Sequence, residues 1–165
     1  MSRTRILSLV LILFVALAGL AGISGAVAAS PEPVSGTFFI NAATVNGIRF
    51  AGSNTFIDVS ATVDYTGSLN GTSTLNGTLI VHADGVTANF HGIEVFTGTV
   101  DGVAGTLTFN NSGQTQSDLS NRDNLVVVSG TGGLSDLHGV INLVGILSPP
   151  NGPVGTYTGQ LRTTP

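Results

Sequence analysis

The stretch Thr55-Phe56-Ile57-Asp58-Val59-Ser60-Ala61-Thr62-Val63-Asp64-Tyr65 decides the fold. Its odd positions Ile57, Val59, Ala61, Val63 and Tyr65 are apolar, while Asp58, Ser60, Thr62 and Asp64 between them are polar. Successive side chains of a strand point to opposite faces, so this pattern is one half-buried β-strand. The same parity recurs downstream. Leu75, Leu79 and Val81 oppose Thr72, Thr74, Thr78 and His82; Val103, Leu107 and Phe109 oppose Thr106, Thr108 and Asn110; Tyr157 and Leu161 oppose Thr156, Thr158 and Gln160.

Two segments are apolar on both faces. Between Asn89 and Thr99, Phe90, Glu94 and Phe96 share one face while His91, Ile93 and Val95 take the other; between Val140 and Leu147 both parities are mostly aliphatic. Such strands are expected to meet something outside the sheet, whether a tail, a second subunit or a ligand. Asn46-Gly47, Asn70-Gly71, Asn76-Gly77, Asp84-Gly85, Asp101-Gly102 and Asn151-Gly152 punctuate the chain with pairs that tolerate the positive φ of tight turns. Asn76-Gly77 reads alternatively as a bulge within a strand. With further strands near Thr37 to Val45 and Leu125 to Ser129, the count is about eight, and Asn111 to Asn124 reads as the longest polar loop. The reading is an all-β domain, a closed antiparallel barrel of about eight strands. Closure suits a chain with few edge-guarding charges.

The front of the chain has a different grammar. Arg3 and Arg5 precede an uncharged run of 24 residues, Ile6 to Ala29, which thins into Ala26-Val27-Ala28-Ala29. A basic start, an apolar middle and a small-residue end are the layout of a secretory signal peptide, expected as a hydrophobic leader helix over residues 1–29. The run is also long enough to remain as a membrane anchor over residues 6–29. Both readings place the remainder in a secreted or extracytoplasmic location. Residues 30–35, with Pro31 and Pro33, read as a short tether, and 36–165 as a single domain. Beyond the leader, three arginines and no lysine stand against nine carboxylates, a formal charge of −6. Nucleic acid, which is held through cations on phosphates, is therefore an unsuitable partner, and membrane contact is expected only through an uncut leader. The chain has no cysteine, so no disulfide supports it outside the cell.

Three segments carry a family likeness: Tyr65-Thr66-Gly67-Ser68-Leu69-Asn70-Gly71-Thr72-Ser73-Thr74, then Phe90-His91-Gly92-Ile93-Glu94-Val95-Phe96-Thr97-Gly98-Thr99-Val100-Asp101-Gly102-Val103-Ala104-Gly105, then Val128-Ser129-Gly130-Thr131-Gly132-Gly133-Leu134-Ser135-Asp136-Leu137-His138-Gly139. In this order they resemble a bacterial family catalogued as a domain of unknown function, number 3224. The Gly-Thr-Gly stretch is also similar to allene oxide cyclases and plant dirigent proteins. The resemblance implies an eight-stranded antiparallel barrel around a largely apolar cavity, a homo-oligomer (a trimer, by analogy with those two families) and no known reaction for the nearest family. Asn111 stands where that pattern commonly has histidine, and His138 where it commonly has arginine.

Glu94 leads the candidate site residues, because it matches the family's glutamate and shares a strand face with Phe90 and Phe96. A carboxylate in an apolar lumen is either a polar anchor or a general acid or base; the plain alternative is a partner arginine such as Arg49 or Arg122. Tyr65 and Tyr157 lie on apolar faces, each as core bulk or as a hydroxyl aimed at a ligand beside Glu94. Metal chemistry is not supported: His91 and Glu94, three apart, face opposite ways, and Asp58 and Asp64 are about 20 Å apart along their strand. Gly130-Thr131-Gly132-Gly133 has no following helix to hold a phosphate, and no cofactor is expected. The leading expectation is an exported barrel enclosing a small hydrophobic ligand without catalysis, with Glu94, Phe90, Phe96, Tyr65 and Tyr157 as its contacts. The alternatives are an isomerase or cyclase for a lipid-derived or phenolic substrate, with Glu94 as acid or base, and a self-associating surface protein.

Overall fold

The computed structural model describes residues 30–148 and 152–163. The leader or anchor expected over residues 1–29, and Asn151 of the last turn signal, lie outside the described residues. Every regular element among the described residues is a strand: β1 (Glu32–Ala51), β2 (Asn54–Gly67), β3 (Leu69–Val81), β4 (Ala88–Val100), β5 (Val103–Thr115), β6 (Ser120–Gly132), β7 (Leu137–Leu147) and β8 (Pro153–Thr163). Each pairs antiparallel with the next in sequence, and β8 returns to β1 from Glu32↔Leu161 to Phe39↔Val154, so the sheet closes into a barrel.

The parity of the sequence sets the lumen. Ala61, Val63 and Tyr65 of β2, Leu69 and Leu75 of β3, Phe96 and Val100 of β4, and Leu107 and Phe109 of β5 are all buried inside. At the end of the barrel that carries the β2–β3, β4–β5 and β6–β7 connections the lumen is filled by buried side chains, with a pocket at the rim bounded by Val34, Val100, Leu134 and Leu161. Leu134, at 2% exposure, folds in from the β6–β7 connection to close it, against Leu69, Leu107 and Leu161 of the same core. Glycines make this inner curvature feasible. Phe96 lies over the cross-strand pair Gly71 and Gly98, and Phe90 lies over Gly77 and Gly92; a Cβ on any of the four would collide with the ring or with backbone. Aromatic rings thus lie along the wall where side chains are missing.

Several expectations are corrected. Residues 32–35 are the start of β1 and pair with β8, so the expected tether is part of the sheet. Only Asp84-Gly85 and Asp101-Gly102 among the described pairs make hairpin turns, with positive φ at Gly85, Asp101 and Gly102. At the first, Asp84 Oδ1 accepts from the N–H groups of Val86 (3.0 Å) and Thr87 (2.9 Å). Asn46-Gly47 falls at a register shift within β1, while Asn70-Gly71 and Asn76-Gly77 lie in regularly paired β3; Asn76-Gly77 is therefore neither a turn nor a bulge. Gly71 and Gly77 instead provide the seats for the Phe96 and Phe90 rings. The polar loop expected over Asn111 to Asn124 is mostly strand, with only residues 116–119 between β5 and β6. The outer aliphatics of the two doubly apolar strands, among them Ile93 (47%), Val144 (53%) and Ile146 (53%), stay exposed among the described residues.

Candidate functional site

The far end of the lumen, beneath the β1–β2, β3–β4, β5–β6 and β7–β8 connections, is hollow. A cavity of about 320 Å³ opens there, walled by aliphatic side chains such as Ile40, Val59, Leu79 and Leu147 with the ring of Phe90. Its polar lining comes from one sector, Asn111 and Thr115 on β5 and Asn121 and Asp123 on β6. That volume falls within the range of small-molecule pockets, and the mixture of an apolar wall with a few convergent polar groups is typical of them.

Under this sector lies a hydrogen-bonded floor. Glu94 of β4 is 1% exposed, and its carboxylate accepts from Tyr65 Oη at 2.6 Å and Ser73 Oγ at 2.5 Å on Oε1, and from Asn111 Nδ2 at 2.9 Å on Oε2. Burial, and then the neighbouring Glu94 charge, push the Tyr65 hydroxyl well above its usual range, which keeps it a donor. Three donors satisfy the carboxylate that parity directed inward. The amide of Asn111 links floor to cavity: donating to Glu94 fixes its orientation, and its Oδ1 faces no donor among the described residues.

Asp123 completes the sector. Inward on β6, it sits opposite Gly113, where a methyl group would overlap its carboxyl. Burial, reinforced by the charge of Glu94 and only partly offset by a hydrogen bond from Asn121, raises its pKa to about 7. Asn121, 4% exposed, donates to Gln114 O at 3.4 Å, and its Oδ1 also lacks a donor. Two lumenal carboxyls therefore hold different roles: one is fully bonded, the other can gain or lose a proton near neutrality.

The residues expected to line a ligand site are separated by the structure. Phe90 alone among them lines the cavity, while Glu94 and Tyr65 form the floor below Asn111. Phe96 and Tyr157 belong to the solid half. Phe96 stacks edge-on to Tyr65 with centroids 5.9 Å apart, and the Tyr157 hydroxyl accepts from the Leu69 N–H at 2.7 Å and donates to Thr66 O at 3.2 Å. Tyr157 is turned toward the β2–β3 connection because that tight corner leaves backbone groups needing a partner. Neither arginine weighed as a partner reaches Glu94; Arg49 instead stacks over Phe56, 4.8 Å from its centroid. No group of three metal-ligating side chains occurs among the described residues. Asn121 and Asp123 were not singled out by the sequence, and Asn111 was noted only as a departure from the family pattern. The available signal was parity, since the buried row Leu125 and Val127 continues backwards through Asp123 to Asn121.

Comparison with known proteins gives a family match and solved structures of similar fold. The family model described as a protein of unknown function (DUF3224) matches residues 34–145. A crystal structure of a DUF3224-family protein of unknown function from Shewanella oneidensis MR-1 superimposes with a TM-score of 0.65 at 23% identity, covering 82% of this chain and 100% of that one. That likeness supports the fold. No protein of curated function matches the chain.

Proposed function

The chain belongs to the DUF3224 family, and from that footing we propose that it is an exported barrel which encloses one small, mostly apolar molecule at its hollow end. The observation that carries the reading is the cavity of about 320 Å³, closed below by Leu134 and the aromatic layer and walled by aliphatic side chains. A cavity of about 150 Å³ already accepts benzene, so the occupant has on the order of a dozen non-hydrogen atoms. Burial of its hydrocarbon surface at about 25 cal/mol per Å² provides the affinity, and the sector of Asn111, Asn121 and Asp123 orients it. Export rests on the leader grammar of residues 1–29. The likeness to allene oxide cyclase and dirigent barrels is part of the same reading, supported by the strand count and the closed ring.

Glu94 serves in this reading as an internal support. Its oxygens are occupied by Tyr65, Ser73 and Asn111, and it lies behind the cavity lining, which argues against its attack on a bound substrate. Displacement of an environment-sensitive hydrophobic dye, with native mass spectrometry of the purified chain, tests the proposal. One dye per chain, displaced by small hydrocarbons, is the expected result; absence of dye uptake and of any retained small molecule would overturn it.

A further inference from the structure

The polar sector of the cavity is one-sided in its chemistry. Among the described residues, Asn111 Oδ1 and Asn121 Oδ1 are acceptors without donors, on side chains only 3% and 4% exposed. Neither amide can be turned over without loss, because the Nδ2 of each already donates, to Glu94 Oε2 and to Gln114 O respectively. Asp123, between them, adds a carboxyl, and the cavity lining contains no lysine, arginine or histidine. A buried acceptor without a partner is costly, and a buried carboxylate without a cation more so. What this corner lacks is a positive group with several N–H donors.

We propose that the occupant is an amphiphilic amine, whose protonated primary amino head meets the Asp123 carboxyl in the sector that also presents the free amide oxygens of Asn111 and Asn121, while its hydrocarbon body fills the aliphatic chamber. This rests on the chamber reading above and specifies its ligand. An ammonium group brings several donors and a positive charge to a sector that offers only acceptors, and it offsets the repulsion between Asp123 and Glu94. A carboxylate head would add a third negative charge to the same corner. An alcohol has one donor and brings no positive charge to Asp123.

Ionisation follows from the same geometry. The titratable groups around Asp123 are Glu94 of β4 and Tyr65 of β2 on the lumen side, with His91 of β4 and Arg122 of β6 along the outer groove that reaches the wall at Asp123. Amine binding needs the Asp123 carboxylate, so its affinity falls as pH drops through about 7.

The test uses a matched series, 4-phenylbutylamine, 4-phenylbutanol, 4-phenylbutanoate and butylbenzene, titrated into the full chain by calorimetry and dye displacement. The amine is expected to bind at least about tenfold more tightly than butylbenzene at about pH 8.5, with that advantage shrinking at about pH 5.5, while butylbenzene is insensitive to pH. Asp123→Asn is expected to erase the amine preference and retain butylbenzene, which also shows that the variant is folded. Equal binding of all four, or preference for the carboxylate, overturns the amine assignment and leaves the chamber standing. Binding of none overturns the chamber and the amine together.

Discussion

Replacing Asp123 with asparagine removes a titratable group from the lumen at nearly constant shape, and the consequence for stability has a definite sign. The folded chain holds the Asp123 proton up to about pH 7, whereas an exposed aspartate releases it near 3.8. Between those values the folded state binds more protons than the unfolded one, so stability falls as pH rises through the window and levels off above it. At about 1.36 kcal/mol per pH unit, the loss amounts to about 4 kcal/mol, a large part of the 5–15 kcal/mol typical of a domain. Asp123→Asn abolishes this slope, so the variant gains on the natural chain steadily from about pH 4 to 7. Urea unfolding followed by far-ultraviolet circular dichroism, across that pH range, measures it. Asp84 and Asp118, whose turn hydrogen bonds lower their pKa values and give the opposite slope, are present in both proteins and cancel in the difference. A difference in stability that stays constant with pH would refute the reasoning, because it would mean that Asp123 is not desolvated.

Other substitutions probe the floor, the closed end and the wall. Glu94→Gln places an amide where Tyr65, Ser73 and Asn111 all donate, and is expected to lower stability by about 2–4 kcal/mol in thermal or urea unfolding. Tyr157→Phe deprives the Leu69 N–H of its buried acceptor, with an expected loss of about 1–3 kcal/mol in the same assay and unchanged dye affinity, since Tyr157 does not line the cavity. Leu134→Ala opens the solid end and is expected to lower stability by about 2–5 kcal/mol. Gly77→Ala forces the Phe90 ring and the β4 backbone aside, with an expected loss of about 1–3 kcal/mol and weaker dye binding; an unchanged dye affinity would show that the ring does not bound the chamber.

The fold was readable because most strands follow a two-residue period, and the row Phe90, Glu94 and Phe96 did point into the lumen. The site was only partly readable. Parity decides which way a side chain points, while its depth along the barrel axis depends on strand stagger, which no single strand encodes. Hence Phe90 and Phe96, on one face of β4, are divided between the hollow and the solid halves. The polar corner was obscured for a related reason. Asn111, Gly113, Asn121 and Asp123 break the apolar row of β5 and β6, so a rule seeking alternation sees a loop where the strands form the polar sector of the cavity wall. Asn-Gly pairs misled in the same way, because glycine serves positive φ in a turn and close approach of a ring within a strand equally well.

The seat of Phe90 on Gly77 and Gly92 separates two properties that usually vary together. In the proposed reading, the room for a guest depends on glycines that contribute no atoms to the chamber surface, and the preference for its charge depends on Asn111, Asn121 and Asp123 on other strands. A single added methyl beneath the phenyl ring would shorten the guest without altering its head group, and a change at Asp123 would alter the head group without shortening the guest. If the chamber holds the proposed guest, its selectivity for size and its selectivity for charge rest on separate residues and can change independently.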